Sequence, residues 1–270
     1  MTTPVQHHRF ELEAAGHRLR AERLLPPHAA VGPTLVFLHE GLGSIGQWRR
    51  FPAELCARTG RPGLVYDRWG YGHSEPLTGP RPDDYLEREA RDSLPEVLDA
   101  CGIAEPPILF GHSDGASIAL LFAATYPDCV YAVISEAAHV NVEELCLAGI
   151  RLARTAYEQG DLRAGLHRYH GRNTDAMFRG WCETWLRPDR RAWTMEAELR
   201  RIVRPVLIIQ GEDDEYGTRA QVDAIAAGVS GPAETLWLPG CQHVPHQQAR
   251  NAVLDATARF IDRVCEPSIC

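Results

Sequence analysis

Six short apolar runs punctuate the chain: residues 34–39 (TLVFLH), 63–67 (GLVYD), 107–112 (PILFGH), 130–136 (VYAVISE), 205–210 (PVLIIQ) and 235–238 (TLWL). Their near-continuous apolar character predicts strands buried on both faces, as in a parallel sheet. Between them, residues 47–58, 84–101, 114–126, 218–229 and 247–264 have helical periodicity. Repeated β-α alternation of this kind predicts an α/β fold with a mostly parallel central sheet and helices on both faces. Residues 9–25 instead alternate polar and apolar side chains around Ala15-Gly16, which predicts an antiparallel hairpin on one edge.

One segment breaks the rhythm. Residues 141–201 contain no strand pattern, only Arg- and Glu-rich helical sequence with Trp181, Trp185 and Trp193. About 60 residues exceed what one crossover connection needs, so this segment is expected to form a mobile helical cap over one end of the sheet. The expected organisation is a core of residues 1–140 and 202–270 carrying a cap of residues 141–201. No repeat, low-complexity stretch or long linker divides it further.

Composition narrows the chemistry. The 270 residues carry a net charge of −8, which gives no basic footprint for nucleic acid. All 28 basic residues are Arg, and the absence of Lys removes P-loop NTPases, lysine Schiff-base enzymes and pyridoxal-phosphate enzymes. Neither a signal peptide nor a membrane span is expected from the apolar runs. The eight cysteines are scattered singly with no C-x-x-C pair, so they are expected as reduced thiols in the cytoplasm, most of them filling the core. The closest histidine pairs, His7/His8, His167/His170 and His243/His246, stand beside no third ligand at zinc spacing, so no metal site is expected.

The chemistry concentrates at strand ends. Gly111-His112-Ser113-Asp114-Gly115 fits G-x-S-x-G, between a predicted strand and a predicted helix. A nucleophilic Ser needs such a turn to expose its hydroxyl, and flanking Gly lets neighbouring backbone pass closely. The turn also aims the Asp114 amide and the helix N-terminus at a developing oxyanion. The cluster Gly211-Glu212-Asp213-Asp214-Glu215 follows the strand PVLIIQ, and Pro239-Gly240-Cys241-Gln242-His243 follows TLWL. Strand C-terminal ends gather on one edge of such a sheet, so Ser113, one acid and His243 can converge.

With these motifs in view, the chain resembles the α/β-hydrolase family over nearly its whole length. His39-Glu40-Gly41-Leu42-Gly43-Ser44 resembles the family's oxyanion loop, and Asp67-Arg68-Trp69-Gly70-Tyr71-Gly72-His73-Ser74 resembles its D-x-R-G-x-G-x-S segment. The resemblance implies a Ser113 nucleophile, a His243 general base, an acid at Asp214 from the G-x-x-D pattern, and a helical cap where residues 141–201 fall. Glu40 stands where the family usually has Gly, leaving the second oxyanion donor to Gly41 or Leu42 beside Asp114. Trp69 interrupts the D-x-R-G pattern.

Within that family, Ser113 stands where haloalkane dehalogenases and epoxide hydrolases carry Asp, and the Gly-rich loop usual in dienoate C–C hydrolases is absent. The reading is a serine hydrolase cleaving an acyl bond of an ester, lactone or thioester, with no cofactor. Its alternatives are a C–C hydrolase of a ring-cleavage product and a ligand-binding protein on a hydrolase scaffold. The implied partner is a small-molecule acyl substrate, not nucleic acid or membrane; homodimerisation is left open. Glu40 is expected at the pocket rim or paired with an Arg. His246 is expected on the surface at a helix start. Trp181 and Trp185 either line an acyl pocket or pack the cap; Pro188 is expected to deny the three tryptophans a common helical face. Asp67 and Arg68 are expected to make hydrogen bonds within their own loop.

Overall fold

The computed structural model describes residues 4–29 and 31–266; Cys270 lies outside them. Eight strands form one sheet: β1 (Gln6–Ala14), β2 (His17–Leu25), β3 (Leu35–Leu38), β4 (Gly63–Tyr66), β5 (Ile108–His112), β6 (Ala132–Glu136), β7 (Val206–Gly211) and β8 (Ala233–Leu238). Their order is β1-β2-β4-β3-β5-β6-β7-β8. The hairpin β1–β2 occupies one edge and pairs antiparallel with β4, whereas β4, β3 and β5 to β8 are parallel. The expected mostly parallel sheet with an edge hairpin is therefore present. Every residue of β3, β4, β5, β6 and β7 is buried, which is why these strands read as unbroken apolar runs.

Helices cover both faces. On one side α1 (Phe51–Thr59) and α11 (Arg250–Cys265) pack Phe51, Leu55, Val253 and Phe260 against Phe37, Phe110 and Ile134. On the other side lie α2 (Tyr85–Arg88), α3 (Leu94–Ala100), α4 (Asp114–Thr125) and α9 (Arg219–Gly228). A π-helical turn, Glu89–Ser93, joins α2 to α3, so the expected helix 84–101 is one run with a local bulge. Helix α4 is buried from Asp114 to Ala124, which explains its lack of a polar face. The expected helix 247–264 divides into α10 (Pro245–Gln248) and α11, because Ala249 leaves helical geometry.

Residues 141–201 are helical, as their pattern predicts: α5 (Glu144–Gln159), α6 (Leu162–His170), α7 (Thr174–Leu186) and the short α8 (Glu196–Leu199). An antiparallel bridge between Asn141 and Thr194 holds the outgoing and returning chain together, so the insertion leaves and rejoins the core at neighbouring points. Tyr157 of α5 stacks on Phe178 of α7 at 3.7 Å, giving the segment apolar packing of its own. Among the described residues, no helix is long and apolar enough to cross a membrane. Among the described residues, seven cysteines are free and five of these are buried, consistent with core filling.

Candidate active site

The chain order reverses at β3, whose neighbours β4 and β5 lie on opposite sides, and the candidate site sits beyond the C-terminal ends of these strands. Ser113 follows β5 directly, with φ 53° and ψ −118°, a left-handed backbone that a side chain adopts only when its surroundings impose it. The amide of Ser113 donates to the Glu136 carbonyl (2.8 Å), and its own carbonyl accepts from Ala116 (2.9 Å), fixing the turn. The flanking glycines are obligatory. A Cβ on Gly115 would lie 1.9 Å from the Leu38 carbonyl oxygen, and one on Gly111 would lie 2.2 Å from the Gly115 oxygen.

Ser113 Oγ lies 3.0 Å from His243 Nε2, and His243 Nδ1 lies 2.9 Å from each carboxylate oxygen of Asp214. An ionised Asp214 requires the Nδ1–H tautomer, which leaves Nε2 free to accept the serine proton. Asp214 is itself fully engaged. Its Oδ1 accepts from the amides of Tyr216 (2.7 Å) and Gly217 (3.2 Å), and its Oδ2 accepts from Gln210 Nε2 (2.6 Å). Asp213 is exposed, and Glu215 instead accepts from the His243 amide at 3.2 Å.

The electrostatics agree with this assignment of protons. Burial opposes ionisation of Asp214, but the His243 charge, its hydrogen bond and the backbone amides outweigh it and hold the carboxyl below its usual value. Its contribution to stability is therefore present above the unfolded carboxyl pKa and is lost as pH falls through the depressed folded value. Burial pulls His243 down, while the Asp214 charge and hydrogen bond, with Glu40 and Glu215 beyond, win and raise it. Nearby His139 is pushed down to about 4, chiefly by burial and by the His243 charge, and so stays neutral.

The His243 loop is anchored by side chains that sequence reasoning missed. His112 Nε2 donates to the His243 carbonyl at 2.7 Å. Glu136, at the end of β6, accepts from the His246 amide (2.5 Å) and from His246 Nδ1 (2.8 Å). His246 is thus 3% exposed, beneath Trp48 and Phe51, instead of on the surface as its place after Pro245 suggested. The only signal in the chain was a Glu at a strand C-terminus, which does not name its partner 110 residues away.

The loop after β3 is held from below. Arg68, fully buried, donates through Nη2 to the carbonyls of His39 (3.1 Å) and Glu40 (2.8 Å), and its amide donates to His39 Nε2 (3.1 Å). Asp67 accepts from the amides of Ile45 (2.7 Å) and His73 (2.9 Å). These two residues therefore reach beyond their own loop and brace the neighbouring one. Among the described residues, the amides of Gly41, Leu42 and Asp114 make no bond to a backbone carbonyl. Trp69 stacks on His17 at 3.8 Å, so it serves the hairpin contact and leaves Ser113, His243 and Asp214 untouched.

Among the described residues, the Glu40 carboxylate pairs with no Arg guanidinium; Arg68 holds the Glu40 carbonyl instead. The Glu40 carboxylate lies 3.9 Å from His112 Nδ1 and lines the pocket. Helix α7 runs unbroken through Trp181 and Trp185, because Pro188 falls beyond its end; the two share a face, and both line the pocket. Trp193 lies outside it, packed edge-on to Trp185 and bonded to Glu87. With Cys146 and Ile150 of α5, the two α7 tryptophans close a cavity of about 50 Å³ over Ser113 and His243. Burial holds the Cys146 thiol protonated, so it offers no rival thiolate.

Spacing along the chain gave no metal site, yet the fold gathers Glu40, His112 and His243, and likewise His112, Glu136 and His246, with ligand atoms within 4.8 Å of one another. Most of those atoms are already committed to the hydrogen bonds above: His243 to Asp214 and Ser113, and His246 to Glu136.

A histidine acts as a general base only when neutral, so any hydrolysis that uses His243 in that way is expected to rise with pH through its pKa, placed above the ordinary value of 6.5. Glu40→Gln removes one of the charges that raise it. The acidic limb of the kcat/KM profile is expected to move to lower pH in this variant, and an unchanged limb would refute the coupling.

Residues 33–198 match the family described as alpha/beta hydrolase fold. Serine hydrolase BPHL of Homo sapiens is 29% identical over 192 residues, covering 68% of this chain and 63% of the relative. The chain therefore spans less than two thirds of the length of that curated relative. Among solved structures, the esterase from Thermogutta terrifontis superposes with a TM-score of 0.72 at 18% identity, covering 95% of this chain and 99% of the other. The enol-lactonase from Burkholderia xenovorans LB400 does so with a TM-score of 0.74 at 20% identity, covering 93% and 99%. At these identities the two superpositions speak for the fold alone.

Proposed function

Because the chain belongs to the α/β hydrolase fold family, we propose that it is a serine hydrolase cleaving a carboxylic ester, lactone or thioester through Ser113, His243 and Asp214. The observation that carries this reading is the continuous hydrogen-bonded line from Ser113 Oγ through His243 to Asp214, built at three different strand ends. Ser113 Oγ attacks the acyl carbonyl as His243 Nε2 takes its proton. The resulting oxyanion is held by the amides of Asp114 and of Gly41 or Leu42, a contribution commonly worth about 3 kcal/mol per donor. His243 then gives the proton to the leaving group, and a water activated by the same nitrogen releases the acid. Asp214 keeps the ring in the productive tautomer and stabilises the imidazolium. No step calls for a metal or an organic cofactor.

Residues 141–201 act in this scheme as a cap that selects the acyl group. A cavity of about 50 Å³ is far below the roughly 300 Å³ at which drug-sized ligand sites begin. Anything beyond a small acyl group therefore needs α5 and α7 to move. The Trp181 indole covers the oxyanion loop: a Cβ on Gly41 would lie 2.2 Å from its Nε1. Trp181→Ala and Trp185→Ala are expected to raise kcat/KM for p-nitrophenyl octanoate relative to acetate by about tenfold or more. Equal changes on both esters would remove the specificity role. The proposed function itself is tested with a serine-directed fluorophosphonate: stoichiometric labelling, absent in Ser113→Ala, supports it, and no labelling of the wild-type chain overturns it.

A further inference from the structure

His139 lines the catalytic cavity, yet no step of the proposed hydrolysis uses it. It lies three residues beyond the end of β6, after a positive φ of 53° at Ala137. Ser117 of α4 clamps its backbone: the hydroxyl donates to the His139 carbonyl (2.6 Å) and accepts from its amide (3.2 Å). The ring stands edge-on to Trp185 with centroids 5.5 Å apart, and 6.0 Å from the His243 ring. Backbone and ring are thus both held, and the residue is 3% exposed. Among the described residues, neither ring nitrogen makes a hydrogen bond. Nδ1 is sealed without a partner, whereas Nε2 is not sealed and opens on the cavity that the residue lines. The ring is neutral, as its pKa of about 4 requires. A neutral imidazole carries one N–H and one lone pair, and a sealed N–H without an acceptor is the rarer and costlier orphan. The proton therefore belongs on Nε2, which presents a donor to the cavity. Were the ring there only to fill space, Phe would do so without burying unpaired nitrogen.

The other walls decide what that donor meets. Ile150 and the indoles of Trp181 and Trp185 are apolar, and the space of about 50 Å³ suits a short acyl chain. Glu40 and Asp114 also line it, and their carboxyl groups disfavour an acyl group that brings a second negative charge. The acceptor that fits is an uncharged oxygen. We infer that the protein selects short acyl groups carrying an uncharged oxygen acceptor near the carbonyl, as in alkoxy-, keto- or hydroxyacyl esters, and that the Nε2–H of His139 recognises that oxygen. This names a substrate class for the hydrolysis proposed above and rests on that reading. His139 moves no proton in it and is a recognition residue. An acyl group without the oxygen leaves the donor unpaired, and a site built to hydrogen-bond a substrate discriminates against such an analogue.

Methyl methoxyacetate and methyl butyrate are matched in length and differ by an ether oxygen in place of a methylene. The ratio of their kcat/KM values is measured by pH-stat in the wild-type chain, His139→Phe and His139→Gln. The intrinsic reactivities of the two esters are common to all three and cancel in the comparison. His139→Phe keeps a ring against Trp185 without an N–H, and it is expected to lower the methoxyacetate-to-butyrate ratio by about tenfold. His139→Gln, whose side-chain amide can bring an N–H to the place of Nε2, is expected to hold the ratio within about threefold of wild type. A wild-type ratio in His139→Phe, or a Gln variant no better than Phe, overturns the inference. Binding is read separately in the full chain carrying Ser113→Ala, from the change in tryptophan fluorescence on titration. There methyl methoxyacetate is expected to bind at least about fivefold more tightly than methyl butyrate. Equal affinities overturn the inference, and this arm decides it even should His139→Phe fail to fold. Absence of turnover of both esters by the wild-type chain overturns the hydrolase reading instead, and the binding comparison then decides the role of His139 alone.

Discussion

Ser113→Ala is expected to lower kcat on an activated acetate ester by at least about 10³-fold while leaving the chain folded. In the proposed mechanism the hydroxyl forms the bond to the substrate, and without it only the oxyanion donors and substrate positioning remain. The backbone argument points the same way for folding. The strained φ of 53° at residue 113 is imposed by the Glu136 carbonyl, by Ala116 and by the two flanking glycines, and none of these contacts uses Oγ. The variant should keep its Tm to within about 4 °C, the equivalent of roughly 1 kcal/mol in a domain of this size. Steady-state kinetics and thermal unfolding on the same preparation decide it. Near-wild-type turnover in a folded variant would overturn the triad as a whole.

Asp214→Asn is expected to lose on the order of 10⁴-fold in kcat, the loss seen when a triad acid becomes an amide that admits the wrong histidine tautomer. The surroundings make the substitution worse here. All the groups around this carboxylate are donors: the Tyr216 and Gly217 amides on Oδ1, Gln210 Nε2 on Oδ2, and His243 Nδ1 on both. An asparagine that keeps its oxygen toward the two amides turns its NH₂ toward Gln210 and His243. The imidazole then offers a lone pair from Nδ1 and places its proton on Nε2, where the serine proton should go. Buried donors left facing donors add a stability cost of roughly 1–3 kcal/mol. Asp213→Asn, on an exposed side chain one residue earlier, is expected to stay within about tenfold of wild type in kcat. The reverse ranking would move the acid upstream and leave Ser113 and His243 in place.

The relation between these two acids shows how far local pattern reaches. Position in the G-x-x-D resemblance singled out Asp214 from four consecutive acids. The structure shows how that carboxyl is placed: the chain turns immediately after Gly211, so that the Asp214 carboxyl meets the amides of Tyr216 and Gly217, while Asp213 stays outside. Glu136 and His246 present the opposite case. Each sat in plain view at a strand end or a helix start, and both are buried against one another. Their pairing needs β6 and the loop after β8 to arrive at one place, an outcome of sheet order that no local spacing encodes.

What the sequence by itself determined is the alternation of strands and helices, the edge hairpin, the helical character of residues 141–201 and the strand ends that carry Ser113, Asp214 and His243. Those properties follow from hydrogen-bonding periods and from burial on two faces or one, and they are written within ten or twenty residues. Only the tertiary structure decided that α7 brings Trp181 and Trp185 down over Ser113, that Arg68 donates to the carbonyls of His39 and Glu40, and that the Glu40 carboxylate faces His112. Each is a match between side chains that are distant in sequence, settled by register, layer spacing and the room left after the core is packed. The chain pattern places such groups on a face; packing alone chooses what they meet.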